Sequence, residues 1–266
     1  MKFDKIMLDD EAELWTYICD QNPWYKRKAI LVIPGGGYEF VDNFVEGDPV
    51  AQAFIPYGFN AFVLRYSVNK MQNKFPDQLI QACKAMKHIR DHAEEYGIDP
   101  EEVYALGFSA GGHLCGTLAT MWMREELYKA VPMPYGYNKP KGVILMYPVV
   151  TGDPAYSHQD SFKNLLCTQN PTKEELASVS LENLVDGNTV PAYIVHGGAD
   201  DAVPVENSLI LATAYRKANV PFELHIYPHR RHGFGLGNEI TGQADYHIGE
   251  NISRWVEQAV LWMKTL

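Results

Sequence analysis

Positive charge is scarce in this chain and nowhere concentrated. Of its 266 residues, 23 are Lys or Arg against 33 Asp or Glu, a formal net charge of −10 with His neutral. Nucleic-acid-binding surfaces carry basic patches or stripes, so the lack of any Lys/Arg-rich run argues against that class of partner. The same acidic balance weakly disfavours a polyanionic substrate. Long apolar runs are missing as well. No stretch approaches the roughly 18 apolar residues of a membrane span, and Met1 to Glu13 is mixed and charged with no apolar targeting core. No membrane partner is expected, and the location expected is the cytoplasm, although a chain already trimmed of a signal peptide reads the same way.

Cysteine is sparse too. Cys19, Cys83, Cys115 and Cys167 are scattered and include no C-x-x-C pair. A disulfide framework is unusual in a chain this large, so they are expected as reduced, mostly buried thiols. There is no Pro/Ser-rich linker, internal repeat or low-complexity tract, and residues 1–266 read as one domain. Oligomeric state leaves no trace in the pattern.

What is present is alternation. With 46% hydrophobic residues the chain can bury a large core. Short apolar runs (Ala29 to Ile33, Ala61 to Leu64, Val103 to Leu106, Gly142 to Tyr147, Ala192 to Val195 and Phe222 to Tyr227) read as strands. Between them lie helical patterns at Asp48 to Tyr57, Pro76 to Tyr96, Ala110 to Trp122 and Val205 to Ala218, with a closing helix at Tyr246 to Met263. Gly97 is placed to cap the second of these. This order predicts βαβ units, hence an α/β fold with a mostly parallel central sheet and helices on both faces. The exception is 151–189, polar and irregular with a short helix at Lys173 to Ser178. It reads either as a small cap-like insertion forming one wall of a site or as a surface connection.

The chemistry centres on Gly107-Phe108-Ser109-Ala110-Gly111. G-x-S-x-G alone is a modest signal, and a serine that merely caps a helix N-terminus is its bland alternative. Here a strand runs into the motif and a helix leaves it, as a nucleophile elbow requires. Small residues at 107 and 111 relieve the crowding of so sharp a turn. A serine hydroxyl needs an adjacent base, and in such folds the partners follow in the order Ser, Asp/Glu, His. Asp200 and Asp201 both lie just beyond the strand ending at Val195. After the last strand come His229, His232 and His247, of which His232 is favoured because Gly233 follows it in a loop. His113 and His196 read as structural hydrogen-bonding residues near the motif loops. His88 and His92, one helical turn apart, lack a nearby third ligand and read as a polar face, so no metal is expected. Pro34-Gly35-Gly36-Gly37-Tyr38 ends a strand without the Lys-Ser/Thr of a phosphate loop, and no cofactor is expected. Glycines there let backbone N–H groups approach a developing oxyanion, and the amide of Ala110 is the second expected donor.

Taken together, Pro34 to Tyr38, Val63-Leu64-Arg65-Tyr66-Ser67, Gly-Phe-Ser-Ala-Gly-Gly-His-Leu, Val203-Pro204-Val205-Glu206-Asn207-Ser208 and His232-Gly233 occur in this order. The chain thereby resembles the acetyl-xylan-esterase-like branch of the α/β-hydrolases, related to the hormone-sensitive-lipase-type esterases, from about Ala29 to the C-terminus. The resemblance implies the α/β-hydrolase fold and hydrolysis of acetyl or other short acyl esters, often on sugars or xylo-oligosaccharides. It implies a triad of Ser109, Asp200 and His232, with Asp200 preferred because the acid stands three residues before Val-Pro. It also implies an oxyanion hole from Gly36, Gly37 and Ala110. One departure is Pro34, which replaces the histidine of the lipase-type His-Gly-Gly-Gly and weakens the kinship with lipases.

Several readings share this machinery: an arylformamidase-like amidase, a peptidase or a general carboxylesterase. Dienelactone-hydrolase chemistry would want cysteine at position 109. A catalytically inactive binding protein on the same fold is the non-enzymatic alternative. Tyr38, Phe40, Trp24 and Tyr25 could stack on a sugar ring or simply pack.

Overall fold

Residues 1–68 and 74–266 are described by the computed structural model. Among them the strands are β1 (Lys2–Met7), β2 (Glu13–Ile18), β3 (Arg27–Ile33), β4 (Phe59–Arg65), β5 (Ile98–Phe108), β6 (Val143–Met146), β7 (Ala192–Gly197) and β8 (Phe222–Tyr227). They form one sheet in the order β1-β2-β4-β3-β5-β6-β7-β8. Strands β3 to β8 run parallel, whereas β1 pairs antiparallel with β2, and β2 with β4. The helices are α1 (Asp48–Phe54), α2 (Asp77–Asp91), α3 (Ala93–Tyr96), α4 (Ser109–Met121), α5 (Glu125–Ala130), α6 (Gln159–Leu166), α7 (Lys173–Val179), α8 (Leu181–Leu184), α9 (Glu206–Ala218) and α10 (Trp255–Met263). No helix among the described residues is long and apolar enough to cross a membrane.

The inner parallel strands β3 to β7 are largely apolar on both faces because helices cover both. Leu31, Phe62, Ala105, Leu145 and Ile194 join Leu79 and Met86 of α2, Leu114 of α4 and Leu211 of α9 in one core. Their neighbours Ile30, Val63, Leu106, Ile144 and Val195 turn to the other side and meet Phe54 of α1 and Trp255 of α10. The shared direction of β3 to β8 places the C-terminal ends of these six strands on one rim. In open parallel sheets the ligand crevice lies along that rim.

Three elements depart from the sequence expectation. The helix expected over Pro76 to Tyr96 breaks at His92, whose imidazole Nδ1 bonds the His88 carbonyl at 2.9 Å, and resumes as α3 up to Gly97 at φ +64°. The closing helix is regular only from Trp255. Before it, the Arg230 guanidinium donates to the carbonyls of Asp245, Tyr246 and Ile248, acceptors that a helix would have used for itself. The N-terminal hairpin β1–β2 was not legible, because β1 is an edge strand exposed along nearly its whole length and carrying Lys2 and Lys5. In 151–189 the expected helix is α7, held by a Thr172/Glu175 capping box. The same segment also holds α6, which buries Phe162, Leu165 and Leu166. Cys83 and Cys115 are buried, Cys19 and Cys167 are half-buried, and all four are free thiols.

Candidate active site

Strand β5 runs into Ser109 and α4 leaves it, and Ser109 itself has φ +51°. A left-handed conformation at a non-glycine residue costs about 1–3 kcal/mol and persists only where the surroundings impose it. The glycines on either side show what imposes it. A Cβ at Gly107 would lie 2.1 Å from the Gly111 carbonyl oxygen, and one at Gly111 would lie 2.2 Å from that of Ile33. Strand β3, strand β5 and α4 are thus pressed together at the elbow, and the serine is the residue left at the apex.

The loop after β8 brings His232 to it. His232 Nε2 is 2.8 Å from Ser109 Oγ, and its Nδ1 is 2.7 Å from Asp200 Oδ2. A carboxylate accepts, so Nδ1 carries the ring proton and Nε2 is free to accept from the serine hydroxyl. Asp200 stands in the turn after β7, its side chain fully buried. Its Oδ1 accepts the N–H groups of Ala202 (3.0 Å) and Val203 (2.8 Å), and His196 Nε2 lies 3.4 Å from Oδ2. Burial pushes this carboxyl up, but the His196 and His232 hydrogen bonds outweigh it and hold Asp200 well below the ordinary carboxylate range.

Asp201 points the other way, into an exposed 3.0 Å ion pair with Arg231. Of the other histidines, His229 is exposed, while His247 is buried and its Nε2–H donates to the His232 carbonyl at 2.9 Å. His196 donates from Nε2 to Val203 O and accepts from Ser208 at Nδ1. His113 donates from Nε2 to Val179 O and accepts from the Tyr38 hydroxyl. Both are structural hydrogen-bonding residues, as expected.

The glycine loop leaves β3 beside the elbow. A Cβ on Gly36, at φ +121°, would collide with the Phe40 carbonyl oxygen at 2.1 Å. Gly37 and Tyr38 follow at φ +64° and +58°. The loop is tied down on several sides. Tyr66 donates to Pro34 O at 2.9 Å, Asn164 of α6 donates to Gly37 O at 2.9 Å, and Tyr38 is anchored through His113. Among the described residues the Gly36 and Gly37 N–H groups have no protein acceptor. Ala110 N–H belongs to the first turn of α4, where helix donors lack intrahelical partners.

Two further residues of the site were missed from sequence. Glu46, in the single π-helical turn Asn43–Gly47, is buried; its Oε2 accepts Gly35 N–H and its Oε1 accepts the Tyr147 hydroxyl, each at 2.7 Å. Tyr147, at the end of β6 with φ +36°, lays its ring against His232 at 4.8 Å between centroids. Burial pushes the Glu46 carboxyl up to about 7, against the opposing pull of the Tyr147 hydrogen bond and the charge of His232. No motif spacing links positions 46, 109, 147 and 232, so only the fold could assemble them.

Ser109, His232, Gly36 and Gly37 open onto a cavity of about 350 Å³. His158, Asp160 and Asn164 also line it, as does Phe40. Three residues of the irregular 151–189 segment therefore line this cavity. Burial and the nearby His232 lower the His158 imidazole below its ordinary value. Tyr38 is buried packing, while Phe40 is half exposed beside the cavity. Trp24 and Tyr25, the other aromatic candidates, precede β3 and lie at the opposite rim of the sheet. A seven-residue strand at about 3.3 Å per residue puts them roughly 20 Å away.

The BD-FAE family model matches residues 18–215, and the dienelactone hydrolase family model matches residues 175–265. The second match spans Asp200 and His232 but not the Ser109 elbow. Endo-1,4-beta-xylanase B of Butyrivibrio fibrisolvens is 38% identical over 85% of this chain and 35% of that protein. Acetylxylan esterase of Xylanibacter ruminicola is 32% identical over 96% of this chain and 50% of that protein. The chain thus spans a third to a half of the length of these curated relatives. The solved acetyl ester-xyloside bifunctional hydrolase of Caldicellulosiruptor lactoaceticus is 31% identical, with a TM-score of 0.84 over 98% of this chain and 96% of that one. The chain has the α/β-hydrolase fold and belongs to the BD-FAE family, and one of its relatives is named an acetylxylan esterase.

Proposed function

We propose that this chain is a serine carboxylic-ester hydrolase that removes acetyl or other short acyl groups from acetylated sugars or xylo-oligosaccharides. The observation that carries the reading is the unbroken chain of hydrogen bonds Ser109–His232–Asp200, at 2.8 and 2.7 Å, at the mouth of a cavity. Ser109 Oγ attacks the ester carbonyl as His232 Nε2 takes its proton, and Asp200 stabilises the resulting imidazolium. The oxyanion rests on the N–H groups of Gly36, Gly37 and Ala110. His232 returns the proton to the departing alcohol. Water then attacks the acyl-enzyme with the same base and regenerates Ser109.

Two features support the substrate class. The cavity lining carries Glu39, Asp42, Glu46 and Asp160 but no Lys or Arg among the described residues, which suits a neutral alcohol and disfavours an anionic one. Phe40 offers an apolar face beside the serine, on which the C–H face of a sugar ring can rest. The names of the relatives point the same way.

The test is Ser109→Ala, expected to abolish fluorophosphonate labelling and cut p-nitrophenyl acetate hydrolysis about 10⁴-fold or more with the fold intact. A Ser109→Ala protein that keeps its activity overturns the mechanism. A series of p-nitrophenyl esters alongside acetylated xylo-oligosaccharides tests the substrate. Preference for butyrate or longer defeats the acetyl reading and leaves the triad standing.

A further inference from the structure

We infer that Glu46 is a positioning residue: its one carboxyl group locks the oxyanion loop to the ring that supports His232, and it faces the imidazolium with a second negative charge. The inference rests on the acyl-transfer reading above. Its geometry is independent of the triad contacts. One carboxyl oxygen holds Gly35 N–H, the residue next to the proposed oxyanion donors. Gly35 sits so close to the elbow that a Cβ on it would lie 2.9 Å from Ser109 Cβ. The other oxygen holds the Tyr147 hydroxyl. That hydroxyl oxygen accepts Gly235 N–H at 3.1 Å, from the loop that carries His232, and the tyrosine ring packs edge-on against the imidazole. A single side chain thus spans the loops after β3, β6 and β8.

The groups facing Glu46 are few. From its own loop comes Asp42, from the end of β4 Tyr66, from the end of β6 Tyr147 and from the β8 loop His232, with Asp200 reached through Tyr147. Of these only His232 can bring a positive charge, and it does so when Ser109 transfers its proton. An ionised Glu46 therefore favours the charged ring formed in the transition state. Glu46 exchanges no proton with substrate; the travelling proton stays between Ser109 Oγ, His232 Nε2 and the leaving alcohol. The burial that holds its carboxyl up to about 7 places its ionisation where activity is normally measured.

Two variants with opposite expected signatures test this. Glu46→Gln keeps an oxygen for Gly35 N–H and removes the charge. Tyr147→Phe keeps the ring against His232 and removes the hydroxyl, whose hydrogen bond holds the Glu46 carboxyl down. Rates are measured per fluorophosphonate-labelled site, with circular dichroism as the folding control. For Glu46→Gln, kcat is expected to fall about 10-fold, below the roughly 10²–10³ that one lost oxyanion donor costs. KM is expected to stay within about threefold, and the acid limb of kcat/KM to move to lower pH. In Tyr147→Phe the limb moves to higher pH, because Glu46 ionises later. Misfolding cannot produce displacements of opposite sign. If Glu46→Gln does not fold, the upward displacement in Tyr147→Phe decides alone. Unmoved limbs, or losses that track the labelled fraction, make Glu46 a purely structural residue and overturn the inference. A parent protein that takes no label, or an active Ser109→Ala, overturns the acyl-transfer reading instead.

Discussion

Two buried carboxyl groups flank His232, and the fold treats them oppositely. Asp200, in the loop after β7, receives two backbone N–H groups and lies against two imidazoles, and its carboxyl is held well below the ordinary range. Glu46, in the loop after β3, receives one N–H and one neutral hydroxyl, and burial wins. Burial alone does not set the protonation of a carboxyl; the number and charge of its donors do. Asp200 is a permanent anion, suited to fixing a tautomer. Glu46 is an anion only on the alkaline side of its range, suited to responding to the charge beside it.

The largest effect that would break this contrast is at Asp200. Asp200→Asn is expected to lower kcat by roughly 10³–10⁴ with little change in KM, since the amide no longer demands the Nδ1–H tautomer. Steady-state kinetics per labelled site measure it, and a loss no greater than that of Glu46→Gln would erase the distinction. A subtler test lies in stability. The folded-state value of Glu46, about 7, exceeds its ordinary 4.5, so between these pH values the folded chain holds a proton that the unfolded chain has released. Its contribution is therefore full below pH 4.5 and lost as pH rises through 7. Asp200 has the opposite sign: its contribution is present above the ordinary carboxylate value and lost as pH falls through its depressed one. Melting temperatures across pH 4–8 should decline less steeply in Glu46→Gln than in the parent, and parallel curves would refute the buried-proton account. The smallest effect sharpens the assignment of the acid. Asp201→Asn breaks only an exposed ion pair, worth about 0–1 kcal/mol, and is expected to leave kcat/KM within about twofold.

What was legible in the sequence had a local physical cause. The elbow could be read because strand β3, strand β5 and α4 converge so tightly that only glycine fits at 107 and 111. The inner parallel strands could be read because burial on both faces leaves unbroken apolar runs. Edge strand β1 could not, since an exposed strand has no reason to look apolar. The turns before α10 were read as helix because their apolar spacing is real, while the arginine that captures their carbonyls stands fifteen or more residues upstream. Trp24 and Tyr25 lie close in sequence to the glycine loop, but a strand's length separates them from it in space.

The same division runs through the proposed site. Sequence by itself determined that a serine sits at a strand-to-helix turn, with acid and histidine candidates following in the right order, because those features are imposed within a few residues of each one. It left Asp200 and Asp201 adjacent, with Asp200 preferred only through the family resemblance. Only the tertiary structure turned one into a buried turn against His232 and the other out to Arg231. It alone brought Glu46 and Tyr147 behind the imidazole, since that contact joins the ends of strands far apart in the chain and near neighbours only in the sheet.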